Sequence, residues 1–276
     1  MSIRDAIILG IIQGITEWLP VSSSGHLVIA QELMGLNVPI FFDVMVHLGT
    51  LVVVIWIFRR DVWDILVGFL QMIILLTKGV PFHEAIEAPE RKLAMLVIVG
   101  TIPTAMVGYL FKDPLESLFS NLLAVGMALL FTGTYLFFTR KIRTEKPRKI
   151  GRMEIKDALI IGTMQGVAII PGVSRSGSTI ATGLFAGLDK ELATRYSFLL
   201  FIPAILGATI LQAEPVISGK ESIQLIPTLA GTFTAMIVGY FAIQSLLKVI
   251  KERKLHLFSY YCWAVGAAVI GFYLFF

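Results

Sequence analysis

The sequence has few charged residues. Asp, Glu, Lys and Arg make up 15% of its 276 residues, and hydrophobic residues make up 56%. A soluble domain usually carries about 25% charged residues. The mean hydropathy is +0.82. These values exclude an ordinary soluble domain and predict an all-α, polytopic membrane protein, because only backbone that satisfies its own hydrogen bonds can cross lipid.

Cysteine is almost absent. The single cysteine, Cys262, lies in the last apolar segment, which excludes a disulfide framework within the chain and a cysteine-based metal site. The net charge of +4 lies in short loops. It therefore indicates membrane orientation and predicts no nucleic-acid partner. The apolar N-terminus carries Glu17 and lacks a convincing small-residue cleavage site, so we do not expect a cleavable signal peptide.

Six segments are predicted to cross the membrane. A shorter apolar segment, 62–76, is interpreted as an interfacial helix, with a full crossing as the alternative. If it crossed, Arg59 and the basic loop at 140–156 would lie on opposite sides. In the six-span interpretation both lie in the cytoplasm with the basic connector at 248–254, and both termini lie outside. The predicted spans are 41–58, 93–111, 118–138, 196–212, 225–247 and 257–276.

Two polar islands interrupt the apolar sequence. The first is GITEWLPVSSSGH at residues 14–26, and the second is GVAIIPGVSRSGS at residues 166–178. An ionisable side chain at membrane depth costs roughly 2.5–3.5 kcal/mol, so such residues indicate function. Proline and glycine break the helix within each island, and in the first island this leaves flanking helices at roughly 3–13 and 27–34. We therefore predict two re-entrant helix–loop–helix segments, 1–36 and 157–188, whose tips lie near the membrane midplane.

The islands belong to an internal repeat at a constant offset of 152 residues. The matched pairs include Asp5 and Asp157, Gly10 and Gly162, Gln13 and Gln165, Ser22 and Ser174, Ser24 and Ser176, and Gly25 and Gly177. We divide the single membrane domain, 1–276, into repeats 1–150 and 151–276. Since the first repeat has three crossings, the second enters from the opposite side. The sequence therefore predicts an inverted-topology repeat, an architecture that is common in transporters.

The two copies differ at the positions where they carry ionisable groups. The differing pairs are Glu17 and Ile169, Ser23 and Arg175, and His26 and Ser178. One copy supplies the carboxylate and the imidazole, and the other supplies the guanidinium. We therefore predict that both copies contribute to one asymmetric site.

Arg175 lies in a setting that suits an anion such as phosphate. Its guanidinium can bind phosphate oxygens in a fork, and the hydroxyls of Ser174 and Ser176 and the N-terminus of the following helix add donors. Thr179 can join them from the first helical turn. The alternative is a structural ion pair between Arg175 and Glu17, which would not by itself explain the flanking hydroxyls.

Glu17 lies one helical turn after Gln13, so both side chains share a face if this segment is helical. Such a pair can hold Mg²⁺ or Ca²⁺ through oxygen, with water or a substrate phosphate completing the coordination. The alternative is a glutamate that bonds the backbone at a helix end. His47, inside the span 41–58, has no evident partner in the sequence and is not assigned to the site.

The remaining polar side chains of the first island allow two interpretations. Ser22, Ser23 and Ser24 can bind phosphate or cap the helix that begins near Gly25, and we expect at least one to be a cap. His26 alone would be a loop histidine. Next to three serines and opposite an arginine, it is a candidate general acid or base.

These motifs together resemble the undecaprenyl-diphosphatase (bacitracin-resistance) family. The resemblance rests on QGITE at 13–17, PVSSSGH at 20–26 and PGVSRSGST at 171–179, and it runs the length of the chain. It implies a membrane hydrolase that removes the terminal phosphate of undecaprenyl diphosphate. That reaction regenerates the lipid carrier for peptidoglycan and other cell-wall polymers and confers bacitracin resistance. It also implies a location in the bacterial inner or plasma membrane.

The resemblance also implies roles for individual residues. The family's acidic motif maps onto Gln13 and Glu17, its nucleophile candidate onto Ser23, and its histidine onto His26. Its phosphate-binding arginine maps onto Arg175. Many relatives carry Glu at the position of Gln13, so the neutral amide here leaves metal binding mainly to Glu17.

The expected mechanism has a cavity that opens to the outer face, where the diphosphate reaches the polar centre while the polyprenyl tail lies between helices. The nucleophile is left open between Ser23, His26 and water. A homodimer is possible through the glycine-bearing spans 225–247 and 257–276. The alternative function is a polyprenyl-phosphate flippase or anion transporter, because inverted repeats with broken helices also serve alternating access.

Overall fold

The computed structural model describes residues 1–142, 146–212 and 224–275. In these ranges the chain forms 13 α-helices and no β-strand beyond one isolated bridge. They are α1 (Ile3–Trp18), α2 (Ser23–Leu33), α3 (Ile40–Ile57), α4 (Arg59–Thr77), α5 (Phe82–Ala85), α6 (Pro89–Leu110), α7 (Lys112–Leu118), α8 (Leu122–Phe138), α9 (Ile155–Val167), α10 (Arg175–Phe185), α11 (Lys190–Gln212), α12 (Leu225–Lys251) and α13 (Phe258–Phe275). Two residues with predictions attached, Arg143 of the basic loop and Phe276 of the last span, lie outside the described residues.

The helices confirm an all-α, polytopic membrane protein. Five described segments are long and apolar enough to cross a membrane: Pro89–Leu110, Leu122–Lys141, Lys190–Ile210, Leu225–Lys251 and Leu255–Phe275. The sixth predicted span, α3, meets the same criterion only together with α4, across a bend of 83°. By length and composition, the described part of the chain therefore has five helices that could cross a membrane, or six if this bent pair counts as one span.

Helix α4 turns away from α3 and packs against α6. Its Met72 is buried in the same apolar cluster as Leu93 and Leu96 of α6, while Trp63 and Leu70 remain exposed. A helix nearly perpendicular to a crossing helix, with one packed and one exposed apolar side, suits the membrane surface. The interfacial position of α4 stays a prediction.

Contacts between helix ends and loops join the basic segments at one end of the helices. They include Lys92 Nζ to the carbonyl of Gly151 (2.9 Å), Arg148 N to the carbonyl of Gly187 (2.9 Å), Lys190 Nζ to the carbonyl of Lys251 (2.8 Å), and Arg195 Nη2 to Asp61 Oδ1 (2.5 Å). The last pair joins the start of α4 to the start of α11, which directly follows the second island. This arrangement favours the six-span interpretation, in which the basic segments share one side.

The two islands have the same local structure at the predicted offset. Helix α9 begins 152 residues after α1, and α10 begins and ends 152 residues after α2. Helices α1 and α9 both begin with a capping box, built on Ser2 with Asp5 and on Glu154 with Asp157. The local fold therefore repeats with the sequence. The division into two repeats and their opposite orientation stay predictions.

The first helix is longer than predicted. The sequence indicated a flanking helix at 3–13 followed by a break, but α1 has 16 residues and ends at Trp18, a length of about 24 Å. Pro20 ends it, because the residue before a proline is pushed into extended backbone, as Leu19 is (ψ 142°). Glu17 consequently lies on a helix and not in the loop.

Glycines allow the broken segments to lie close to long helices of the other half. Helix α1 packs on α12, and α9 packs on α6. A Cβ atom on Gly10 would overlap the carbonyl oxygen of Gly231, and one on Gly162 would overlap that of Gly100. Each first helix is thus in direct backbone contact with a long helix from the other half of the chain, which fixes where each island lies along that helix.

Candidate active site

The loops of the two islands meet. The amide of Gly172 donates to Ser22 Oγ (3.0 Å), and Ser176 Oγ donates to the carbonyl of Trp18 (3.1 Å). A Cβ atom on Gly25 would overlap the backbone of Gly172, so only glycine permits this approach. The predicted juxtaposition of the islands is therefore present in the fold.

Glu17 lies at the centre of the junction and is almost fully buried. Its Oε2 accepts hydrogen bonds from Gln13 Nε2 (2.9 Å) and Ser23 Oγ (2.6 Å). Its Oε1 accepts one from Arg175 Nη2 (2.7 Å). His47 Nε2 lies 3.5 Å from Oε2. Four helices, α1, α2, α3 and α10, thus converge on one carboxylate.

Arg175 keeps part of its donor capacity unused. Its guanidinium lies 3.7 Å above the centroid of the Phe201 ring, and Nη2 is bonded to Glu17. Nη1 is buried and has no hydrogen-bond partner among the described residues. A buried charged group with an unmet donor is costly. This nitrogen is consequently positioned to bind an anion that enters the site.

His47 is a site residue that the sequence analysis did not assign. Its Nδ1 donates to the backbone carbonyl of Asp43 (2.7 Å), which leaves Nε2 facing Glu17. Its position inside the predicted membrane span 41–58 could have identified it, because an imidazole inside an apolar span needs a polar partner. The sequence could not indicate that this partner is Glu17.

The serines of the first island serve different purposes. Ser22 caps α2 by accepting from the amide of Gly25 (3.3 Å), at an unusual φ of 71°. This confirms that at least one of the three serines is a cap. Ser24 Oγ lies 3.3 Å from Ser22 Oγ. Ser23 alone among them bonds Glu17, so it is the hydroxyl that faces the carboxylate.

The predicted phosphate-binding hydroxyls of the second island already have partners inside the protein. Ser174 Oγ caps α10 by accepting from the amide of Gly177 (3.1 Å). Thr179 Oγ1 donates to the carbonyl of Arg175 (2.8 Å). Both are buried, as is Ser176. In this structure they shape the turn that carries Arg175, and their contact with phosphate stays a prediction.

His26 is held by two hydrogen bonds. Nδ1 donates to the carbonyl of Ser22 (2.7 Å), and Nε2 lies 2.8 Å from the hydroxyl of Tyr261 on α13. The two rings are stacked, with centroids 5.6 Å apart and planes 12° apart. No sequence signal pointed to Tyr261, because an aromatic residue in an apolar helix is ordinarily a lipid-facing one.

The oxygens of the site suit a loosely held cation. Gln13 Oε1 is buried and has no partner in the part of the chain that the structure describes, and it lies on the same residue that bonds Glu17. No group of three or more His, Cys, Asp or Glu residues that could hold a metal occurs among the described residues. Mg²⁺ is often held by one or two carboxylates together with water and substrate phosphates. Gln13 and Glu17 would supply only part of such a coordination shell, because both oxygens of Glu17 already accept hydrogen bonds, and the cation stays a prediction.

Comparisons with known proteins give a consistent result. The sequence model of a family described as "Bacitracin resistance protein BacA" matches residues 6–268. The chain is 45% identical to the undecaprenyl-diphosphatase of Alkaliphilus metalliredigens, over 99% of this chain and 100% of that protein. It is 44% identical to that of Methanosphaera stadtmanae and 43% identical to that of Halothermothrix orenii, over 98% of both chains in each case. Both polar islands lie within the matched range.

Proposed function

The chain belongs to the bacitracin resistance protein BacA family, and from this membership we propose how it hydrolyses undecaprenyl diphosphate to undecaprenyl phosphate and phosphate. It is a membrane phosphatase whose product is the lipid carrier of cell-wall synthesis, and its activity confers bacitracin resistance. The observation that carries the proposed site is the hydrogen-bonded group of Glu17, Ser23 and Arg175, assembled from both islands.

Arg175 binds the terminal phosphate. Its free Nη1 donates to a phosphate oxygen, while Nη2 remains on Glu17. Backbone N–H groups at the start of α10 add donors near the same position. Because these donors are fixed in a site that excludes water, they stabilise the charge that develops in the transition state more than water would.

Ser23 is the nucleophile that the geometry favours. Its hydroxyl already donates to Glu17 (2.6 Å), so the carboxylate takes the proton as Oγ attacks the terminal phosphorus. The P–O bond to undecaprenyl phosphate breaks, and that product leaves with the electron pair. Water then cleaves the serine–phosphate bond, with His26 accepting the proton of the water, and Glu17 returns its proton to Ser23. In the alternative, Ser23 positions a water that attacks phosphorus directly.

Gln13 and Glu17 would hold a divalent cation, Mg²⁺ or Ca²⁺, through Gln13 Oε1 and the carboxylate. When bound, the cation would neutralise part of the diphosphate charge. The support for this proposal is the unpartnered amide oxygen beside the carboxylate.

We place the enzyme in the plasma membrane, with the site opening to the outer face and the basic loops in the cytoplasm. The polyprenyl tail lies between helices. A homodimer has less support than the glycines of the last two helices suggested, since Gly231 faces Phe42 and Gly266 faces α8 within the same chain.

Phosphate release from undecaprenyl diphosphate by the purified protein in detergent tests the site. Arg175→Ala is expected to lower turnover by roughly 10²–10³-fold, as the loss of a transition-state donor does. The matched control is Arg140→Ala, which removes an exposed arginine and should leave turnover unchanged. Chelation should reduce the activity, and Mg²⁺ or Ca²⁺ should restore it.

Two results would contradict the proposal. Full activity of Arg175→Ala would remove Arg175 from the phosphate site. A folded wild-type protein that releases no phosphate in detergent, yet moves labelled polyprenyl phosphate between vesicle leaflets, would favour the flippase. If the activity is unchanged after chelation, only the proposed requirement for a divalent cation is contradicted.

A further inference from the structure

His26 is fixed from both ends of the chain. Ser22, four residues earlier, bonds Nδ1, and Tyr261, 235 residues later, bonds Nε2. Tyr261 also stacks its ring on the imidazole. Helix α13 otherwise packs mainly against α8, and its Cys262 Sγ donates to the carbonyl of Pro20 in the same island (3.7 Å).

The first of these bonds determines the tautomer of His26. A backbone carbonyl can only accept, so the bond to Ser22 requires a proton on Nδ1. In the neutral imidazole, Nε2 then carries the lone pair and must accept from the hydroxyl of Tyr261. In the imidazolium, Nε2 carries a proton and the same hydroxyl accepts it. Tyr261 can therefore bond both protonation states without moving.

We propose that Tyr261 is a positioning residue that fixes the ring plane and the tautomer of His26, and that Nε2 exchanges its proton through the Tyr261 hydroxyl. The inference rests on the proposed role of His26 in proton transfer. The stacked ring fixes the plane of the imidazole, and the hydroxyl keeps Nε2 in one direction through the catalytic cycle.

The experiment uses Tyr261→Phe, which retains the stacked ring and removes only the hydroxyl. The matched control is the neighbouring Tyr260→Phe, whose hydroxyl has no hydrogen-bond partner among the described residues and whose ring packs on Phe137 and Trp263. In the detergent assay, Tyr261→Phe should lower kcat about tenfold with KM unchanged, as expected when one hydrogen bond to a catalytic group is lost. Tyr260→Phe should match the wild type.

A second measurement tests whether the Tyr261 hydroxyl covers His26 Nε2, and it does not depend on enzyme turnover. Diethyl pyrocarbonate acylates an accessible imidazole nitrogen, and mass spectrometry of the peptide locates the modified histidine. Removing the hydroxyl uncovers Nε2, so His26 should be acylated faster in Tyr261→Phe than in the wild type or in Tyr260→Phe. An unchanged acylation rate together with unchanged kcat overturns the inference.

The variant His26→Ala separates this inference from the proposed function. If His26→Ala is as active as the wild type, the role of His26 itself is wrong, and the inference fails with it. If His26→Ala is inactive while Tyr261→Phe has wild-type kcat, only the inference about Tyr261 fails. In the supporting outcome, adding Tyr261→Phe to His26→Ala causes no further loss, because the hydroxyl acts only through the imidazole.

Discussion

At the scale of single residues, Glu17 determines the character of the site. A purely structural ion pair with Arg175 is the alternative to phosphate binding by that arginine, and the two side chains do form an ion pair (2.7 Å). Burying two charges is costly, and a well-packed apolar pair is often at least as stable. The unused Nη1 of Arg175 adds to that cost. The pair therefore contributes little to stability. Binding of a diphosphate explains directly why a buried arginine is present at this position.

A pair of variants distinguishes these alternatives. Glu17→Gln leaves Arg175 buried without a counter-charge, so we expect it to be destabilised by about 3–5 kcal/mol and inactive. Adding Arg175→Met removes the unpaired charge and should restore much of the thermal stability in detergent, while phosphate release stays absent. Recovery of activity together with stability in the double variant would show that the pair is only structural.

At the scale of elements, α1 has one exposed side and one side that is buried against the rest of the protein. Isoleucines spaced four residues apart form its exposed side, and Gln13 and Glu17 lie on its buried side. These isoleucines are Ile3, Ile7, Ile11 and Ile15. The buried side lies directly on α12. The position of Glu17 thus depends on how closely two helix backbones approach, and the same holds for α9 on α6.

Gly162→Ala tests this dependence. The added methyl group would overlap the carbonyl oxygen of Gly100, so α9 and α6 must separate, at an expected cost of about 1–3 kcal/mol. The control is Gly207→Ala on α11, where no atom lies within 4 Å of the added group. It should be neutral or raise stability by about 0.4–1 kcal/mol. Thermal unfolding in detergent measures both, and equal midpoints would contradict the close contact.

At the scale of the whole molecule, the basic loops lie at one end and the site lies between the two broken segments. Charge at one end of a bundle sets its orientation, because basic loops are retained in the cytoplasm. The single native cysteine, Cys262, is fully buried. This allows orientation to be measured with introduced cysteines.

Cysteine labelling tests the proposed sidedness. Lys149→Cys lies in the basic loop and Asp113→Cys in the connector between α6 and α8, and both positions are exposed. An impermeant thiol reagent should label Asp113→Cys in intact cells and Lys149→Cys only after permeabilisation. The wild type should remain unlabelled. The opposite pattern would place the basic loops outside.

The sequence by itself determined the class of protein and the main polar residues of the candidate site. The lengths of the apolar runs, the proline–glycine breaks and the offset of 152 residues are all read directly from the sequence. They therefore need no knowledge of how the helices pack. They were enough to predict an all-α membrane protein and to select Glu17, Ser23 and Arg175, which the structure brings together. They were not enough to place the end of α1, which continues past Gln13 to Trp18.

Only the tertiary structure decided which side chains meet across helices. His47 reaches Glu17 from α3, and Tyr261 reaches His26 from α13. Both contacts depend on how the helices cross, and no spacing within a segment encodes that. The hydroxyls of Ser174 and Thr179 gave the converse result. Their residue types suited phosphate, but Ser174 caps α10 and Thr179 bonds the carbonyl one turn earlier in the same helix.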